Sequence, residues 1–153
     1  MDGQLQQFMT NYENSRKAMI ESATTLFKEF TVAFFEKNPA IQSIVWTQYT
    51  PYFNDGDTCE FSVHEPYFSN DVNKTGYYEE SDDEFWAYSS WDFLTENATY
   101  RVNIDGVDVE SVKQFSSVIQ SNVMETVLQD LFGDHVIVIA TRDGFYVNDY
   151  DHD

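Results

Sequence analysis

Apolar residues recur at three- and four-residue steps from Leu5 to Phe34 and then stop at Asn38-Pro39. No other feature restricts the possible folds as strongly. The stripe runs through Leu5, Phe8, Met9, Tyr12, Met19, Ile20, Ala23, Leu26, Phe27, Phe30 and Phe34, and it predicts helix over residues 4–37. Asn38 ends it, because the residue before a proline disfavours helical backbone. At 1.5 Å per residue such a helix is about 50 Å long, more than the width of one small domain. Asn14, Ser15, Arg16 and Lys17 interrupt the stripe. Either the helix breaks near residues 11–15, or its first half packs on something else, such as a second copy of the chain.

Two strand candidates follow, Ile41–Tyr49 and Thr58–His64, joined by Pro51–Asp57. Trp46, Tyr49, Phe61 and Val63 suit strands. Asp55-Gly56 is a hairpin signal, since glycine accepts positive φ. Alternation puts Cys59, Phe61 and Val63 on the buried face and His64 on the other. Pro66, Ser69, Asn70 and Gly76 then mark a loop, with a short helix expected over Glu84–Leu94 and a strand over Ala98–Ile104. Asp108 suits an N-cap. The helix after it is expected to run through Val112, Phe115, Ile119, Val123, Val127 and Leu131 and to stop at Gly133. His135–Thr141 is apolar on both faces, as a covered central strand would be, and Asp143-Gly144 turns into a last strand over Phe145–Asn148.

The expected order is α-β-β-(acidic insert)-β-α-β-β. Each long helix meets a breaker, then a strand, an Asp-Gly turn and a strand. This predicts a single α+β domain over residues 1–153, a two-layer sandwich of two long helices on an antiparallel sheet of about five strands. One domain is also what 153 residues suggest.

The net charge is −19, and it is unevenly spread. Residues 1–40 hold four bases and five acids, whereas residues 41–153 hold four bases and 22 acids. Residues 66–97 form an acidic aromatic insert, and within it Tyr77–Glu96 holds seven carboxylates and seven aromatic rings. Residues 149–153 form an acidic C-terminal tail. Such charge opposes direct binding to nucleic acid or an anionic membrane and favours a basic protein surface. The single cysteine, Cys59, allows no intramolecular disulfide, and no signal peptide or membrane-spanning run is evident, so the cytoplasm is expected.

Motifs for chemistry are absent. His64, His135 and His152 show no ligand spacing, and alternation separates Cys59 from His64. Asn54–Asp57 lacks the spaced ligands and closing glutamate of a calcium loop, and Asp149, Asp151 and Asp153 read as a solvated tail. No catalytic residue, metal site or cofactor is expected, and the chain is not expected to be an enzyme. Carboxylates at i and i+2 on extended backbone lie about 6.6–6.8 Å apart, close to twice the per-strand rise of phosphates in duplex DNA. Asp55 and Asp57 have that spacing, and Glu79, Glu80, Asp82, Asp83, Glu84 and Asp92 add density, with Trp86 and Trp91 as interface anchors. These ten residues are the candidate partner-binding set.

The run Trp46-Thr-Gln-Tyr49-Thr-Pro-Tyr-Phe53-Asn-Asp-Gly56-Asp-Thr-Cys-Glu-Phe61 resembles a block in uncharacterised small acidic proteins of tailed bacteriophages. In overall character the chain is similar to phage anti-defence proteins that mimic DNA and to immunity proteins that block nuclease toxins. The resemblance implies a carboxylate surface that inhibits a basic host protein, such as a nucleic-acid-binding enzyme, in the host cytoplasm. The alternative expectation is an assembly module that forms a homodimer through residues 4–37, with its acidity serving solubility.

Overall fold

The stripe of the first forty residues folds as one unbroken helix, α1 (Gly3–Lys37), with no break near residues 11–15. The computed structural model describes residues 3–53, 55–70, 87–90, 93 and 106–152. Only the second half of α1 reaches the core, through Phe27, Thr31, Phe34 and Phe35. No residue from 3 to 19 is even half-buried. None of the described helices is long and apolar enough to cross a membrane.

The α+β architecture is present, with an antiparallel sheet. Its strands are β1 (Ser43–Tyr49), β2 (Ser62–Val63), β3 (Tyr67–Ser69), β4 (Ala87–Tyr88), β5 (Val136–Thr141) and β6 (Gly144–Asp149). Their order is β4-β3-β1-β5-β6, with β2 pairing the far end of β1. Trp46 lies opposite Val138 and Ile44 opposite both Ala140 and Phe68, so these side chains share one face. That face carries the helices. Phe115 sits among the rings of Phe27, Phe30, Phe34, Trp46 and Phe68, at centroid distances of 5.3–6.2 Å. On the opposite face Val45, Thr47 and Ile139 are buried too, as the apolar run over His135–Thr141 implied for a covered strand.

Several expectations need correction. The expected strand over Thr58–His64 shrinks to Ser62–Val63, leaving a connection from Thr50 to Phe61 in which Asp55 and Gly56 both take positive φ. Cys59 is half-buried there rather than a core strand residue. The loop expected from Glu65 contains β3, because Phe68 is fully buried in register with Ile44 and Tyr88. Within the expected Glu84–Leu94 helix, Ala87–Tyr88 is strand instead, while Ser90 and Phe93 are helical. The expected strand over Ala98–Ile104 lies outside the described residues, as does most of the insert.

The second long helix is two helices, α2 (Val109–Ile119) and α3 (Asn122–Phe132). Ser121 divides them. Its Oγ accepts the Met124 amide at 3.3 Å and donates to the Val118 carbonyl at 2.8 Å. The break re-aims α3, so Val127 and Leu128 face inward while Val123 is 78% exposed. Gly133, at φ +97°, ends α3 as expected.

Buried polar side chains join the layers. Gln48 donates to the carbonyls of Leu128 (2.9 Å) and Gly133 (2.8 Å) and accepts from the Trp46 indole (3.0 Å). It thereby satisfies carbonyls that the end of α3 leaves open. Asn38 braces the end of α1, donating to the Phe34 carbonyl at 3.0 Å beside its own backbone amide and to Ser111 Oγ at 2.8 Å.

Candidate functional site

The register brings Gln48, Val136 and Asp149 into one row at one end of the sheet. Everything that leaves the sheet there is acidic. The connection after β1 carries Asp55, Asp57 and Glu60, the turn before β5 carries Asp134, and the segment after β6 carries Asp149 and Asp151. Asp55, Asp57, Glu60, Asp149 and Asp151 are exposed. The sequence presents these as separate runs, and the sheet makes them neighbours.

A stack of rings holds the two segments together. His152 lies 3.8 Å from Tyr49 and 4.4 Å from Tyr52, nearly parallel to both. His135 stacks on Tyr52 at 4.9 Å, and His64 stacks on Tyr49 at 4.3 Å. His135 Nδ1 and His152 Nε2 share a hydrogen bond at 2.7 Å, and the Tyr150 amide donates to the His135 carbonyl at 2.9 Å. The segment 149–152, expected as a solvated tail, is therefore fastened at its last described residue. All three histidines of the chain meet here, although 88 residues separate the first from the last. No spacing rule could have found them, since the contacts are set by strand pairing. The one available signal was that every histidine lies beside a strand end.

Asp134 anchors the base of this cluster. Its carboxylate accepts the Thr50 amide at 2.7 Å, the Thr50 hydroxyl and the His135 amide at 2.8 Å. Burial pushes its pKa up, but the Thr50 hydrogen bonds and the nearby His135 outweigh that and hold it below the ordinary value. His64 moves below the usual histidine value, first because it is buried and then because His152 is close. His64 Nε2 is buried without a hydrogen-bond partner.

The histidine nitrogens do not converge on a common point. Two of them are occupied with each other, and among the described residues no three His, Cys, Asp or Glu side chains form a metal-ligand group. A cavity of about 430 Å³ lies elsewhere, between α1, α3 and the β5–β6 turn. Its single lining carboxylate, Asp143, has no histidine or second acid beside it there.

Of the ten residues in the expected partner-binding set, Asp55 and Asp57 are placed at this sheet end. Glu79, Glu80, Asp82, Asp83, Glu84, Trp86, Trp91 and Asp92 lie outside the described residues. Two anchors were missed in the sequence. Tyr52 and Phe53 are 65% and 75% exposed beside the acidic turn. Compared with known proteins, the chain matches no family model, no curated protein and no solved structure.

Proposed function

We propose that this chain is a non-enzymatic interaction protein whose acidic sheet end docks on a basic partner protein. The observation that carries the reading is the ring stack. By holding the connection after β1 against the segment after β6, it gathers carboxylates that could otherwise spread apart. Asp55, Asp57, Glu60, Asp149 and Asp151 have no cationic partner among the described residues. Tyr52 and Phe53 supply exposed rings, the side chains that most often carry binding energy at an interface centre. The partner class that fits is a protein built to hold phosphates, such as a nucleic-acid enzyme. Under the phage resemblance it is a host enzyme met in the cytoplasm.

The test compares charge in place with charge in total. Binding to a labelled polyarginine peptide is measured by anisotropy at low and high salt. Reversal of Asp55, Asp57 and Asp151 to lysine is expected to weaken binding roughly tenfold, about 1.4 kcal/mol. Reversal of Glu29, Glu36 and Glu110, which alters net charge equally, is expected to do much less. Equal losses would mean that net charge alone acts and that the sheet end is no site.

A further inference from the structure

We infer that the protein pairs with a second copy of itself through the projecting half of α1, the two helices running antiparallel. This inference does not rest on the acidic docking surface. It begins from exposed apolar area. Leu5, Phe8, Met9, Tyr12, Met19 and Leu26 are 49–71% exposed on a helix whose buried residues are Phe27, Thr31, Phe34 and Phe35. Among the described residues an ion pair from Arg16 to Asp130 at 3.7 Å ties the helix down near its midpoint and leaves the apolar residues uncovered.

The spacing identifies the occupant as another helix. Leu5, Tyr12, Met19 and Leu26 recur every seven residues, and Phe8, Ser15 and Ser22 fill the interleaved positions. A seven-residue repeat is the seam of paired helices. Paired in parallel, this seam would stack Tyr12 on Tyr12 and leave Ser15 and Ser22 facing themselves across empty layers. Paired antiparallel, Phe8 meets the partner's Met19, Leu5 meets the partner's Ser22 and Tyr12 meets the partner's Ser15. Each large side chain then has a small or pliant one opposite, and the two-fold axis repeats every layer.

Charge identifies the occupant as a copy of this chain. The helix carries four acids and four bases, so it is neutral in a protein of net charge −19. The positions flanking the seam (Gln4, Met9, Asn11, Arg16, Ala18, Ala23 and Thr25) hold one charge among them. It is a long surface on which two copies can approach without mutual repulsion. Residues 41–153 carry a net −18, and antiparallel pairing puts these bodies at opposite ends of an overlap of about 30 Å. Parallel pairing would bring them side by side, within the screening length of about 8 Å. An aromatic side chain buries roughly 150–250 Å², so the six exposed side chains offer on the order of 600 Å² per copy, near the ~800 Å² per partner of a stable interface.

Sedimentation at micromolar concentration should return twice the chain mass of 17.8 kDa. The association should strengthen as salt is added, because the acidic bodies repel, whereas docking on a basic partner weakens with salt. Phe8→Glu with Met19→Glu should restore the single-chain mass, and an unchanged far-ultraviolet spectrum would show that the body stays folded. Orientation is read by disulfide capture in a Cys59→Ser background. A mixture of Leu5→Cys and Ser22→Cys chains should cross-link, and each variant alone should not. A monomer in the parent protein, a dimer that survives the double glutamate variant, or cross-linking of Leu5→Cys alone would each overturn the proposal.

Discussion

The side-chain oxygen of Asn38 accepts the backbone amide of Asp108 at 2.8 Å, joining the end of α1 to the start of α2 across 70 residues of sequence. Lys37 adds an ion pair to the Asp108 carboxylate at 2.8 Å, so Asp108 stands at the N-cap position without capping through its side chain. Asn38 is fully buried. Asn38→Ala orphans the Asp108 amide, while the Phe34 carbonyl keeps the backbone amide of residue 38 and the Ser111 hydroxyl keeps the Asp108 carbonyl. It is expected to cost about 1–3 kcal/mol, the cost of one orphaned buried group. Urea unfolding measures this, and a loss under about 0.5 kcal/mol would show that the helices are latched elsewhere.

Arg142 closes the same helix end from the β5–β6 turn. Its guanidinium donates to the carbonyls of Phe35, Asn38, Pro39 and Ile41 at 2.9–3.3 Å and lies 5.3 Å from the centre of the Phe35 ring. A cation is favoured at a helix C-terminus, and the planar fork reaches several carbonyls together. Arg142 is exposed, so Arg142→Ala is expected to cost about 1–2 kcal/mol, below the usual range for several charged hydrogen bonds. Arg142→Lys should recover less than half of that in thermal unfolding. Full recovery would mean that charge alone matters.

Ser121→Ala removes both the acceptor for the Met124 amide and the donor to the Val118 carbonyl. The expected loss is about 1 kcal/mol, typical for an N-cap. Ser121→Asp keeps the acceptor and should restore most of it. Chemical denaturation of the pair decides this, and equal stability of both variants would reject the capping role.

Acidification should loosen the ring stack before it titrates the carboxylates. The folded pKa of His64 lies below its unfolded value of 6.5, so the unfolded chain binds more protons just below that pH. The contribution from neutral His64 is complete above pH 6.5 and is lost as pH falls towards the folded pKa. Asp108 and Asp134 also have lowered values, so what they contribute is lost only below their unfolded value of 3.8. The urea midpoint is expected to fall as the pH drops below 6.5, with His64→Phe flattening that slope. The same slope in the variant would remove His64 from the account.

Phe53→Ser should separate binding from folding. The ring is 75% exposed and has no ring contact among the described residues, so stability should change by less than about 0.5 kcal/mol. Affinity for the polyarginine probe should fall by a few-fold. A stable variant that binds as tightly as the parent would leave Tyr52 as the only anchor at the sheet end.

The periodicity of Leu5–Phe34, the stop at Asn38-Pro39, the stop at Gly133, the doubly apolar β5 and the turn at Asp143-Gly144 were all legible in the sequence. Each depends on neighbours within a few residues, where side-chain spacing and backbone preference act directly. The charge imbalance was legible for the same reason, since it is a property of composition. The break at Ser121 was not, because Val123 continues a helical stripe that only the packing of Leu128 against the sheet rejects. β3 and β4 were hidden as well. Their two or three residues carry too little pattern, and their pairing comes from distant strands, β3 from β1 and β4 from β3.

The candidate site divides in the same way. Asp55 and Asp57 could be named from their spacing, but not the neighbours they would acquire. The sequence by itself determined the acidity, the helical stretch that stops at Gly133 and a neutral first helix too long for its domain. Only the tertiary structure decided that Tyr49, Tyr52, His64, His135 and His152 would stack, and that Asp149 and Asp151 would share a sheet end with Asp55 and Asp57. The physical reason is range. Local backbone preference is written in adjacent residues, whereas the convergence of distant side chains follows from strand register, which the whole core selects at once.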